Sequence, residues 1–99
     1  MVVGSLRCDL LLGDVHSLKQ KRGVVRPIVA QLRRRFEVAA AETGDQDVHR
    51  RAELSVALVS SEHGHAREVL ESCERLVAAR PEVGLRSARD PGLGDAEPR

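Results

Sequence analysis

The stretch VVGSLRCDLLLGDVHSLKQKR, residues 2–22, predicts a strand, a turn and the start of a helix, in that order. Apolar residues fill every second position of its first part, which is typical of a strand with one buried face: Leu6, Cys8, Leu10 and Leu12. Gly13 and Asp14 then form a turn. Ser17 and Gln20 predict a helix start, because the serine hydroxyl accepts from an exposed amide and the glutamine side chain reaches back.

The helix that begins there continues to about residue 36 and has one apolar face. At about 100° per residue, that face collects Leu18, Val25, Ile28, Val29, Leu32 and Phe36. Pro27 lies inside the helix, where its ring presses on the carbonyl group of Gly23. Because a glycine absorbs such a kink, we predict one bent helix. The alternative is a helix that begins only near Pro27, with a loop before it.

The second half of the chain repeats the order of strand and helix. Residues 36–42 (FEVAAAE) fit either an extension of the first helix, on alanine propensity, or a second strand. After a turn-rich connection, residues 52–60 (AELSVALVS) form the clearest strand of the chain. A helix from about Glu62 to Arg80 follows and ends before Pro81. Its apolar stripe holds Ala66, Val69, Leu70, Cys73, Leu76 and Val77.

The end of the chain is weakly patterned. Residues 83–89 predict a last, weak strand, and residues 90–99 combine proline, glycine and charge, which predicts a flexible C-terminal tail. The element order is then β-α-β-β-α-β. This order predicts an α+β, ferredoxin-like fold, in which a four-stranded antiparallel sheet carries two helices on one face, and residues 1–89 form a single such domain.

Charge is distributed unevenly along the 99 residues, although the net charge is only +1. Residues 1–36 hold eight basic side chains and two acidic ones, whereas residues 37–99 hold eight basic and thirteen acidic. The basic excess falls on the first helix, where Lys21 lies nearer the apolar face and is expected to snorkel outward. We predict RNA or anion binding by Lys19, Lys21, Arg22, Arg26, Arg33, Arg34, Arg50 and Arg51.

The scarcity of aromatic residues restricts how RNA could be read. Phe36, which ends the apolar face of the first helix, is the sole aromatic residue of the chain, so no set of aromatic side chains lies on the predicted sheet. RNA-recognition domains of similar topology stack bases on aromatic side chains of the sheet. We therefore expect any RNA contact to be made by the basic helix and to read the shape of the RNA backbone.

Other chemistry has little support in the residues. The carboxylates of residues 42–53 lack a nucleophile and base beside them, His63 and His65 lack paired ligands at zinc-site spacing, and the glycines form no phosphate loop. We expect no enzyme activity, no cofactor and no metal. Cys8 and Cys73 fall at apolar positions, which predicts two reduced, inert thiols close together. With no apolar run of about 18 residues and no leader, we expect a cytoplasmic protein without membrane contact.

Three runs of the chain carry a family resemblance: HSLKQKR (16–22), RRRFEVAAAE (33–42) and GDQDVHRRAELSVALVS (44–60). In order and spacing they resemble the YlxP-like family of small bacterial proteins of unknown function. The resemblance implies a ferredoxin-like fold. Because genes of that family typically lie near those of transcription-termination, translation-initiation and ribosome-assembly factors, it also implies a link to ribosomes or RNA.

Charge and resemblance together lead to one expected function. We expect a non-catalytic accessory protein that docks on ribosomal or other structured RNA through its first helix. The alternative is a protein-interaction or self-associating, dimeric domain that binds no nucleic acid, since ferredoxin-like domains often pair through open sheet faces or exposed edges.

Overall fold

The computed structural model contains the six elements in the predicted order. It describes residues 1–45, 48 and 50–95, with side chains described up to residue 84. The elements are β1 (Val2–Leu12), α1 (Leu18–Arg35), β2 (Ala39–Gly44), β3 (Arg51–Ser60), α2 (His63–Ala78) and β4 (Val83–Asp95). Among the described residues, no helix is long and apolar enough to cross a membrane.

The four strands form one antiparallel sheet in the order β2-β3-β1-β4. The central pair runs from Val2 opposite Ser60 to Leu11 opposite Arg51 without a register shift. Because β2 pairs only with β3 and β4 pairs only with β1 within the described chain, these two strands are the edges. The predicted α+β, ferredoxin-like fold is confirmed.

The alternation of side chains along β1 puts the core on one face of the sheet. Every even-numbered residue of β1 is buried and every odd-numbered one is exposed or half-buried. The helices cover the buried face, and each contributes one apolar stripe. The largest fully buried side chains of the core are Leu10, Leu12, Ile28, Leu32, Leu54, Val56, Val77, Cys8 and Cys73. Apolar contacts between the two helices and this face hold the sheet and helices together.

Helix α1 is a single helix that includes both Gly23 and Pro27. The alternative, in which the helix begins only near Pro27, is therefore wrong. Its first turn has the predicted cap: the Gln20 amide donates to the Ser17 hydroxyl at 3.1 Å, and the Gln20 side chain accepts from the His16 amide at 2.7 Å. The helix ends at Arg35, where Phe36 adopts an extended backbone. Residues 39–44 therefore form a strand and not an extension of the helix.

Strand β4 is longer than the predicted strand over residues 83–89, because its pairing with β1 continues to Asp95 opposite Val2. Part of the expected tail at residues 90–99 is thus strand, and residues 96–99 lie outside the described residues. The register shifts between Ser5 and Arg7, so that two residues of β4 face one residue of β1. Such a bulge on an edge strand accommodates Pro91, which has no amide hydrogen to donate.

Candidate functional site

The helix α1 carries an unbalanced positive charge. Its 18 residues include no carboxylate, and its cationic residues are Lys19, Lys21, Arg22, Arg26, Arg33, Arg34 and Arg35. The last three lie in the final turn, where they oppose the partial negative charge of the helix end. The cations of the first turns have no such compensation, because the amino end of a helix is itself partly positive.

A groove runs between α1 and the edge strand β2, and we call it the α1–β2 groove. It encloses about 630 Å³. One wall consists of Arg22, Arg26 and Arg33, and the other is the edge of β2 at Ala41 and Glu42. Between the walls lie the apolar side chains and the one buried cation of the helix, which are Leu18, Val25, Val29, Ala30 and Lys21. The groove therefore combines guanidinium groups with an aliphatic floor.

Lys21 lies at the base of this groove and is only 2% exposed. Its ammonium group forms an ion pair with the Glu42 carboxylate at 2.7 Å. It also donates to the carbonyl oxygen of Asp45 and, at 2.7 Å, to that of Val48. The expected outward snorkelling is therefore wrong. The sequence-based assignment of Lys21 to an accessible anion-binding surface is corrected, since its donors are turned toward the β2–β3 connection.

Arg33 ties the far end of the groove to the sheet. Its Nε donates to the carbonyl oxygen of Ala40 at 2.9 Å, so the guanidinium group covers a backbone acceptor on β2. In an antiparallel strand, the amide and carbonyl of one residue point to the same side. The amide hydrogen of Ala40 therefore also points to the side of α1, away from β3.

The structure separates the predicted RNA-binding residues into groups. Arg22, Arg26 and Arg33 share the groove wall, and Lys19 is exposed on α1 next to that wall without lining the groove. Arg34 lines a different depression, beside Phe36 and Ala57. Two further residues, Arg50 and Arg51, lie at the start of β3, where the Arg50 carbonyl accepts from the Leu12 amide at 2.8 Å. The four cations on and beside the groove form the main basic surface.

Glu42 is the residue of the candidate site that the sequence-based prediction of binding residues did not include. Ala40 is buried and Glu42 is half-buried on the same face of β2, so this carboxylate points toward the helices. Lys21 correspondingly occupies the buried stripe of α1. A charged residue at a core-facing position of each element is a signal for a buried ion pair, and that signal is present in the sequence.

The two cysteines are buried on the helix side of the sheet, and both are free thiols. Burial raises the pKa of Cys8 from 9.0 to about 12, and the negative charge of Glu74 is the next largest cause. Burial raises the pKa of Cys73 from 9.0 to about 11. A negative charge on Cys73 adds to the rise in the pKa of Cys8.

We expect both thiols to react slowly with a thiol reagent in the folded protein at about pH 8, and quickly after unfolding in urea, because only the thiolate is a nucleophile. Unfolding returns the pKa of both thiols toward 9.0. Above pH 9 the thiols of the unfolded chain therefore lose their protons, whereas those of the folded chain keep them until about pH 11 to 12. The contribution of the thiols to the free energy of unfolding is therefore fully present below pH 9 and falls as the pH rises from 9 to about 12. Fast labelling of the native protein would contradict the burial of these thiols.

The described side chains do not assemble a metal site. Among the described side chains, those of residues 1–45, 48 and 50–84, no three histidine, cysteine, aspartate or glutamate residues come together in an arrangement that could hold a metal ion. His63 and His65 are exposed in the first turn of α2. The α1–β2 groove is therefore the candidate site that the described side chains support best.

Fold and groove together define the class of protein: an α+β, ferredoxin-like domain with a cationic recess between its first helix and one edge strand. The chain belongs to the family of proteins of unknown function designated DUF503, whose model matches residues 3–89. It is similar to the uncharacterized protein YlxP of Bacillus subtilis (strain 168), with 29% identity over 82 residues that cover 83% of this chain and 89% of the relative. The predicted membership of a YlxP-like family is confirmed.

Proposed function

We propose that this protein is a non-catalytic cytoplasmic accessory protein that docks on structured RNA, with ribosomal RNA as the expected class, through the basic flank of α1. The observation that carries the proposal is the set of uncompensated cations on that flank. The side chains of Lys19, Arg22 and Arg26 are exposed and form no ion pair or hydrogen bond within the described part of the chain. In the free protein these charges repel one another and the helix dipole; a polyanion reverses both effects.

The kind of contact follows from the side chains available. The exposed residues of the open sheet face are aliphatic, small or charged, and the face has no aromatic residue on which bases could stack. Guanidinium and ammonium groups along a helix bind phosphates and release their counterions. Such contacts position a protein on RNA and make its affinity depend on salt, while carrying little information about base sequence.

The proposal predicts that reversing three charges on α1 weakens RNA binding. The variant Lys19→Glu/Arg22→Glu/Arg26→Glu is expected to bind a duplex RNA and ribosomal subunits at least about tenfold more weakly at 0.1 M salt. The slope of log affinity against log salt is expected to fall by about 3, roughly one for each phosphate that the variant no longer binds. Fluorescence anisotropy across a salt series measures both quantities.

A matched control uses three exposed arginines away from this flank. The variant Arg7→Glu/Arg67→Glu/Arg75→Glu changes the net charge equally, and its RNA affinity is expected to stay closer to that of the unmodified protein. Circular dichroism verifies that both variants are folded. Equal binding by the unmodified protein and the α1 variant would reject the proposal.

A second function, association with another copy or with a partner protein, is favoured by one observation on the open sheet face. Val3 and Val59 lie directly opposite each other there and are 38% and 66% exposed. An exposed apolar pair of this kind tends to be covered in a complex. Sedimentation velocity at low and high salt separates the two candidates, since association through this face tolerates salt and RNA docking does not.

A further inference from the structure

The charge layout of the α1–β2 groove differs between its base and its rim. At the base, the Lys21 ammonium is neutralised by the Glu42 carboxylate at 2.7 Å. At the rim, Arg22 and Arg26 carry charges with no ion-pair partner within the described residues. A ligand that matches this layout carries its negative charge at the rim and places an uncharged part in the recess. A phosphate group would gain no binding energy by entering the recess, because the cation at its base is already neutralised.

The recess also has the size and lining of a small-molecule site. Its volume of about 630 Å³ falls within the usual range of roughly 300–1,000 Å³ for ligand pockets. Leu18, Val25 and Val29 supply an aliphatic floor. A contact surface for phosphates alone requires no apolar recess, so the floor points to a ligand with an apolar or flat ring.

The walls offer the groups that bind a nucleobase. Phe36 does not line this groove, but the planar guanidinium groups of the arginine wall can stack on a base in place of an aromatic ring. The opposite wall is the edge strand β2, whose Ala41 and Glu42 line the groove. The Glu42 carboxylate, whose side chain is 23% exposed, also lines the groove, and a carboxylate oxygen can accept a hydrogen bond from the exocyclic amino group of a base.

We infer that the α1–β2 groove binds one unpaired nucleotide of the docked RNA, with the base in the recess and its phosphate on Arg22 and Arg26. This inference rests on the proposed function and deepens it, because it specifies a structured RNA that contains a bulge or loop. Continuous duplex would contact only the rim and the exposed flank of α1. The preferred RNA therefore combines paired backbone with one base that is free to leave the stack.

The test compares two RNA hairpins that differ in a single unpaired nucleotide. The bulged hairpin is expected to bind about tenfold more tightly than the fully paired one, a gain in the range that base stacking supplies. A 4-thiouridine placed in the bulge is expected to cross-link, on irradiation, to peptides of α1 or β2. The same nucleotide in a paired position is expected to cross-link weakly.

A pair of matched variants links this preference to the groove. Val29→Leu/Ala30→Leu fills the recess with aliphatic side chains, and leucine is compatible with the helix. It is expected to abolish the preference for the bulged hairpin, so that both hairpins bind equally. The control Ala57→Leu/Val59→Leu makes a similar change on exposed residues of β3 and is expected to retain the tenfold preference.

Each outcome separates the inference from the proposed function. Equal, salt-dependent binding of both hairpins by the unmodified protein overturns the nucleotide inference and leaves RNA docking standing. Binding of neither hairpin overturns both. If a nucleoside 5′-monophosphate binds as tightly as the bulged hairpin, the groove is a site for a free nucleotide. That result overturns the inference that it binds a nucleotide of the docked RNA.

Discussion

Replacing Lys21 with alanine is expected to lower the free energy of unfolding by about 3 kcal/mol, the low end of the cost of breaking a buried ion pair. The change leaves the Glu42 carboxylate without its cation and removes the donor to two carbonyl oxygens of the β2–β3 connection. Urea denaturation monitored by circular dichroism measures the loss. Lys19→Ala, at an exposed position of the same helix turn, is the matched control and is expected to change stability by less than about 0.5 kcal/mol.

A second variant tests whether the loss comes from charge or from packing. Lys21→Met keeps the aliphatic stem and removes the ammonium group, so with Glu42 intact it is expected to be nearly as destabilising as alanine. Adding Glu42→Gln removes the uncompensated charge and is expected to recover part of the loss. If Lys21→Met is as stable as the unmodified protein, the ion pair contributes nothing to stability.

Leucine-to-alanine changes at two adjacent positions of β1 are expected to differ by more than about 2 kcal/mol in their effect. Leu10 is 1% exposed and packs in the core, so Leu10→Ala is expected to cost about 3 kcal/mol in lost burial and cavity formation. Leu11 is 46% exposed on the open face, and Leu11→Ala is expected to cost less than about 1 kcal/mol.

This pair of variants tests the register of the central strand. Successive side chains of a strand point to opposite faces, so a shift of one residue would exchange the two effects. Unfolding curves measured in parallel under identical conditions give the two free energies. Equal losses, or a larger loss at Leu11, would contradict the arrangement of β1 in this sheet.

The central part of the fold is predictable from the sequence because its signals agree. In β1 and β3 the apolar alternation, the β-branched residues and the flanking turns all indicate strands with one buried face. In α1 the cap at Ser17 and the apolar stripe both indicate a helix, and they outweigh Gly23 and Pro27. Because local propensity and hydrophobic periodicity agree in these elements, each can be predicted from its own residues.

The edge strands were harder to predict because their own residues do not decide their structure. The three alanines at the start of β2 favour a helix by propensity, and their strand conformation depends on pairing with β3. The glycines and Pro91 of β4 weaken its strand signal in the same way, although β1 offers it a complete partner. The strand conformation of β2 and β4 is determined by pairing with distant parts of the chain, which the residues of a single segment do not reveal.

The sequence predicts which residues make the candidate site basic, but it does not predict the groove that they line. Helical spacing alone places four of the cations of α1 on one flank beside the apolar face: Lys19, Arg22, Arg26 and Arg33. The groove itself requires the position of β2 beside α1, and the burial of Lys21 requires the carboxylate of Glu42 opposite it. Both depend on contacts between residues about 20 positions apart in the chain.

The two edges of the sheet are closed to neighbouring molecules in different ways. On β2, the side chain of Arg33 occupies the carbonyl oxygen of Ala40, and α1 lies alongside. On β4, the register shifts twice against β1, which twists the outer edge out of the flat form that another strand could copy. These features make each edge a poorer template for a strand of a second molecule than a straight, uncovered strand would be. We expect the protein to resist aggregation into β-fibrils even when it is concentrated.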